Sequence, residues 1–208
     1  ADAAVKDIRP DLMQEFLTAM KKGATVQSNH SNYGRQGTED YLTYGYVPNH
    51  YHESVNHTLD YAYSDFCISR VAKVLAEDET VKKYQQRSLN YQHIFDYESG
   101  WMRSKDKNGK FREPFSAHRW GQDYAEGSAW QSSFAVYHDF AGLIEKYGSS
   151  ERFKEKLIDL CNQSPTFETG GYGFEIHEMS EMAAIEFGQL AISNQPSFHY
   201  PYLFSYIG

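Results

Sequence analysis

The sequence predicts an all-α protein. Three observations lead there: apolar residues recur at helical spacing along most of the chain, strand-like alternation is nearly absent, and the connections between periodic stretches are uneven in length. Uneven connections fit an α/α toroid better than a four-helix bundle, whose helices are joined by short loops. No internal repeat, low-complexity tract or long linker divides the 208 residues.

The elements follow in order. Pro10-Asp11 opens a short helix with Leu12, Phe16 and Met20 on one face, closed by Gly23. Residues 24–52 read as a loop, because Asn29, Asn32, Gly34, Gly37, Gly45 and Pro48 interrupt any regular pattern. Ser54 is placed to cap a long helix reaching about residue 76, with a stripe of Leu59, Ala62, Tyr63, Phe66, Cys67, Val71, Val74 and Leu75. A second helix spans about 79–95, facing Val81, Tyr84, Ser88, Tyr91 and Phe95 inward. Residues 96–126 form a long loop in which Asn108-Gly109 suits one tight turn, and loops of that length tend to be functional. Further helices are predicted over about 128–147, 150–162 and 174–190, with another turn or helix from Pro196 onward.

Composition narrows the function. Lys and Arg number 20 against 28 Asp and Glu, a formal net charge of −8, and no basic run offers the clustered cations that nucleic-acid phosphates require. No stretch approaches the roughly 18 uninterrupted apolar residues of a membrane span. With 40 % apolar residues the chain carries too much core material to be disordered. It is polar (mean hydropathy −0.68) yet holds 17 Tyr, 13 Phe and 3 Trp. Rings with polar tips beside carboxylates are what a sugar cleft needs, although the same tyrosines could simply pack helix surfaces. Cys67 and Cys161 are too far apart and too few for a disulfide framework, and read as buried small apolar residues. The chain begins ADAAVKDIRP, without a secretory leader, and stops at Tyr206-Ile207-Gly208 directly after an aromatic run, so it reads as a piece cut from something longer.

Three segments could carry chemistry. In Tyr124-Ala125-Glu126-Gly127-Ser128-Ala129-Trp130-Gln131 a carboxylic acid lies beside an aromatic ring where a long loop enters a helix. Desolvation by the ring would raise its pKa, as a general acid in glycoside cleavage requires. The plainer reading makes Glu126 a first-turn acid favoured by the helix dipole and Trp130 a core residue. In Gly173-Phe174-Glu175-Ile176-His177-Glu178-Met179-Ser180-Glu181, His177 and Glu181 share a helix face, with Glu178 beside them. The spacing is near that of HExxH zinc helices, but Glu181 replaces the second His and excludes that class. A His with two carboxylates suits hydroxyl binding or a hard cation, or else is solvated surface charge. In Ser193-Asn194-Gln195-Pro196-Ser197, amide oxygens suit calcium or sugar hydroxyls, or mark an ordinary turn.

Taken in order along the chain, these segments and several others resemble the family-92 glycoside hydrolases, calcium-dependent inverting exo-α-mannosidases. The matching landmarks are Gly45-Tyr46-Val47-Pro48, the segment 54–65, Arg87-Ser88-Leu89-Asn90-Tyr91, Gly100-Trp101-Met102-Arg103, Glu126 to Gln131, His138-Asp139 with Gly142-Leu143-Ile144, and Asn194-Gln195-Pro196-Ser197. The resemblance covers about residues 35–208. It implies a partial (α/α)6 catalytic domain over residues 1–208, lacking the family's N-terminal β-sandwich and its downstream segment with the catalytic base.

By the same resemblance Glu126 is the catalytic acid. His177 and Glu178 contact the leaving-group sugar of α-1,2-linked substrates, and Trp130 and Gln131 line or support the mannose pocket. Glu181, Asn194 and Gln195 lie at the calcium site. The implied substrate is a mannose-containing glycan, and the implied location is periplasmic or secreted. Ser128, Phe134, Tyr137 and Gln195 depart from the usual Asn, Trp, Pro and Glu, and the neutral Gln195 supplies one negative charge fewer toward calcium. An inverting mechanism needs an acid and a base about 6.5–9.5 Å apart, so the 208-residue piece is expected to be inactive alone. The alternatives are a noncatalytic glycan-binding helical domain and a purely structural helical domain.

Overall fold

The computed structural model describes residues 1–30 and 32–207. Ten α-helices are recorded among them: α1 (Asp2–Val5), α2 (Met13–Gly23), α3 (Thr38–Tyr44), α4 (Ser54–Val74), α5 (Asp78–Ser88), α6 (Ala129–Ser132), α7 (Phe140–Lys146), α8 (Ser150–Asn162), α9 (His177–Ile185) and α10 (Tyr200–Leu203). The expected mostly-α class is met. The exception is a two-stranded antiparallel ribbon, β1 (Phe95–Asp96) with β2 (Trp101–Met102), which turns the chain back at the start of the long loop.

Long helices with one apolar stripe form where the spacing predicts them, and departures have local causes. A 3-10 turn over Pro10–Leu12 precedes α2 and changes the phase of its stripe. Met13 and Leu17 are therefore buried, while the expected Leu12 and Phe16 are exposed. The loop expected before α4 contains α3, bounded by Gly37 and Gly45, which both adopt positive φ as its two caps. Ser54 does not cap α4: it is the first helical residue, and Glu53 occupies the N-cap position. The helix expected over 128–147 breaks after α6. Asp139 accepts the Gly142 N–H at 3.0 Å to start α7, and Tyr91 fixes the same carboxylate at 2.8 Å. The Asn108-Gly109 turn forms within a small hairpin closed by the Lys105–Phe111 bridge.

α4 is the spine. Its Val55, Leu59 and Ala62 enter the main core with Tyr91, Trp101, Trp130, Phe134, Phe153 and Leu157, while Ile68 and Val71 pack on Leu17 and Tyr84 in a second cluster. Between the two lies Asp65, fully buried, taking 2.8 Å ion pairs from both Arg35 and Arg87. Cys67 and Cys161 are free and only half-buried, less enclosed than their spacing suggested. Among the described residues no helix is long and apolar enough to cross a membrane.

Candidate active site

The site is built on the turn from Trp120 to Ser128. Ser128 caps α6 in a reciprocal box with Gln131: the Trp130 N–H donates to Ser128 Oγ at 3.2 Å, and the Ser128 N–H donates to Gln131 Oε1 at 2.9 Å. Gln131 then reaches 58 residues along the chain, donating from Nε2 to the Gln189 carbonyl at 2.7 Å. At the other end Tyr124 is buried and donates to the Met102 carbonyl at 2.8 Å. Burial raises its phenol pKa far above the usual value. Both ends of the turn are thus anchored in the core, and Glu126 sits on its exposed crest.

Glu126 adopts φ 45°, a left-handed conformation that costs a non-glycine residue roughly 1–3 kcal/mol and persists only where surrounding contacts hold it. Those contacts come from three separate elements. Its N–H donates to Tyr172 Oη at 2.8 Å, and its carbonyl accepts from Asn194 Nδ2 at 2.8 Å. The preceding Ala125 N–H donates to Asn56 Oδ1, on α4, at 3.0 Å. Two further left-handed residues adjoin: Glu53 (φ 55°) and Gln122 (φ 59°), joined by the Glu53 N–H donating to the Gln122 carbonyl at 2.7 Å. Strained backbone concentrated in this way is characteristic of functional sites.

Charge converges on the same place. Tyr172 lies within the field of the Glu53, Glu126 and Glu178 carboxylates. Burial is the largest cause holding its phenol above the ordinary range, and the three charges act in the same direction. His177 opens α9 with a side chain 76 % exposed; its Nε2 is 3.2 Å from Glu178 and its Nδ1 is 3.2 Å from Glu181. The His177 imidazole with Glu178 and Glu181 makes a polar cluster at the start of α9, suited to hydrogen-bonding hydroxyls.

Sequence-predicted residues fare differently here. Glu126 and Asn194 are in direct contact, and Glu178 shares the surroundings of Tyr172 with Glu126. Trp130 and Gln131 do not present themselves to a ligand: they are 3 % and 1 % exposed. Trp130 packs edge-on to Trp101 at 4.4 Å and donates to His118 at 3.3 Å, so both residues support the turn from beneath. For the same reason the apolar surround expected of Trp130 is not around the exposed Glu126 carboxyl. Of the residues expected at calcium, Asn194 donates through Nδ2 to the Glu126 carbonyl, Glu181 is paired to His177, and Gln195 is exposed. Among the described residues no group of three or more His, Cys, Asp or Glu could hold a metal, whereas calcium takes about six to eight oxygens. Tyr172 and Glu53 were missed and Asn56 was noted only within the landmark segment 54–65, because each acts through a partner distant in sequence.

The whole chain, residues 1–208, matches the glycosyl hydrolase family 92 catalytic domain. It is 38 % identical to a family GH92 inverting mannosidase from Bacteroides thetaiotaomicron VPI-5482 (TM-score 0.84), covering 100 % of this chain and 28 % of that one. It is 31 % identical to a GH92 α-mannosidase of Bacteroides thetaiotaomicron solved in complex with mannoimidazole (TM-score 0.82), covering 99 % and 26 %. An uncharacterized secreted glycosidase of Arthroderma benhamiae is 26 % identical over 242 residues, spanning this whole chain and 28 % of that protein. The chain therefore spans about a quarter of the length of these relatives. On this match and the fold that accompanies it, the chain belongs to glycosyl hydrolase family 92, within the catalytic domain.

Proposed function

We propose that this chain is the sector of an (α/α)6 toroid that carries the general acid of an inverting exo-α-mannosidase, acting on mannose-containing glycans with terminal α-linked, preferentially α-1,2-linked, mannose. The observation that carries the reading is Glu126 itself: an exposed carboxylic acid on a left-handed residue whose peptide group is clamped by Tyr172, Asn194 and α4. A carboxyl carried on a backbone fixed from three sides can be brought within reach of one oxygen atom, which is what protonating a glycosidic leaving group requires.

In this scheme Glu126 gives its proton to the departing oxygen while water attacks the anomeric carbon from the opposite face. The base that activates that water comes from outside these 208 residues. His177, exposed at the start of α9, and Glu178 beside it hydrogen-bond the hydroxyls of the leaving-group sugar. Calcium, where the protein binds it, would polarise mannose hydroxyls, with Glu181, Asn194 and Gln195 contributing only part of its shell. The likeness to a secreted glycosidase supports an exported, periplasmic or secreted protein.

The test uses the full-length protein containing this chain. Incubated with α-linked mannobiose, it should release mannose whose first-formed anomer, followed by NMR, is β, and chelation of calcium should abolish release. Mannobiose binding without turnover would establish the noncatalytic alternative instead.

A further inference from the structure

We infer that Tyr172 is a positioning residue for the general acid: its phenol oxygen, by accepting the Glu126 N–H, holds the acid on its left-handed backbone and aims the carboxyl at the glycosidic oxygen. The inference rests on the function proposed above and adds to it a residue that contacts neither catalytic oxygen directly.

The geometry is specific. Tyr172 ends a 3-10 turn (Gly170–Tyr172) laid against the 118–122 segment by a ladder of backbone bonds. Glu168 N–H donates to His118 O at 2.9 Å, Trp120 N–H to Glu168 O at 3.0 Å, and Gly171 N–H to Trp120 O at 2.8 Å. The approach is close enough to require glycine twice. A Cβ on Gly170 would lie 2.4 Å from the Trp120 carbonyl oxygen, and one on Gly171 would lie 2.2 Å from the Gln122 nitrogen. The backbone is thus docked so that the phenol falls 2.8 Å from the Glu126 nitrogen.

The chemistry is specific too. A phenol oxygen that accepts one amide hydrogen keeps its own proton to donate. The charges of Glu53, Glu126 and Glu178 all act on it. Tyr172 can therefore hold the acid by its backbone with its O–H still available to a further acceptor. Without the phenol, the Glu126 N–H loses its acceptor and the left-handed turn loses one of its three restraints.

The experiment compares Tyr172→Phe with wild type in the full-length protein, on mannobiose and on dinitrophenyl α-mannoside, whose leaving group needs no proton. With mannobiose kcat should fall about 10- to 100-fold, the scale of a misplaced catalytic group, with KM little changed. With the dinitrophenyl substrate kcat should fall by less than about threefold. Should thermal melting show that Tyr172→Phe does not fold, Tyr172→Leu, which likewise removes the acceptor, serves in its place, and the same selective loss is expected. Equal losses on both substrates, or no loss on mannobiose, overturn the positioning role while leaving the proposed function standing. A wild-type protein that releases no mannose overturns both.

Discussion

Asn194 donates from Nδ2 to the backbone carbonyl of Glu126 at 2.8 Å, joining residues 68 apart in the chain. Asn194 is 3 % exposed, so the bond is shielded from competing water. Asn194 thereby restrains the Glu126 peptide from the carbonyl side as Tyr172 restrains it from the amide side. The two roles open to Asn194 respond oppositely to a carboxylate. Asn194→Asp removes the donor and sets a negative charge against a carbonyl oxygen, whereas a calcium ligand would tolerate or gain from the change. We expect Asn194→Asp to lower kcat on mannobiose at saturating calcium about tenfold or more, while the calcium midpoint, read from activity across a calcium titration, should fall as the carboxylate adds charge at the metal.

Replacing the acid is the direct test of its assignment. Glu126→Gln keeps the size of the side chain and removes the proton, so kcat on mannobiose should fall about 10²- to 10⁴-fold. Hydrolysis of an activated aryl mannoside should fall far less. Equal losses on the two substrates would remove the acid assignment.

His177 and Glu178 are separable from the chemical step. With their alanine variants, KM for mannobiose should rise about tenfold, the loss of one charged hydrogen bond, while an aryl mannoside, lacking a sugar leaving group, should show little change. Steady-state kinetics on the two substrates reads this out.

Stability depends on one buried ion cluster. Asp65, 0 % exposed, pairs with Arg35 and Arg87, and its Oδ2 also accepts the Tyr41 hydroxyl at 3.2 Å. Asp65→Ala leaves two guanidinium groups facing a void and should cost roughly 3–5 kcal/mol in chemical denaturation. Replacing all three charged residues by apolar ones of similar volume should recover part of that loss.

Two histidines set an acid limit. His138 contacts the Ser88 carbonyl through Nε2 at 2.8 Å, and His199 contacts the Phe134 carbonyl through Nε2 at 2.9 Å. In both, burial lowers the pKa below 6.5 and outweighs the carbonyls that act the other way. The unfolded chain then binds more protons than the folded one, so stability should fall as pH drops below about 6.5. Thermal melts between pH 8 and pH 5 in the double variant His138→Gln/His199→Gln should show a shallower decline.

The sequence by itself determined the mostly-α class and the extent of the long helices α4 and α8, because helical periodicity is a local pattern. It misjudged what is set by phase or by distant contacts. The 3-10 turn before α2 exchanged Leu12 and Phe16 for Met13 and Leu17 in the core, and the Asp139 cap divided one expected helix in two. Only the tertiary structure decided what surrounds Glu126. Its left-handed backbone is uphill in isolation, and the bonds from Asn56, Tyr172 and Asn194 that hold it come from elements 46 to 69 residues away in the pairs they form. Local propensity places a carboxylate at the head of a helix, but it is this packing of distant elements that fixes the backbone on which Glu126 stands.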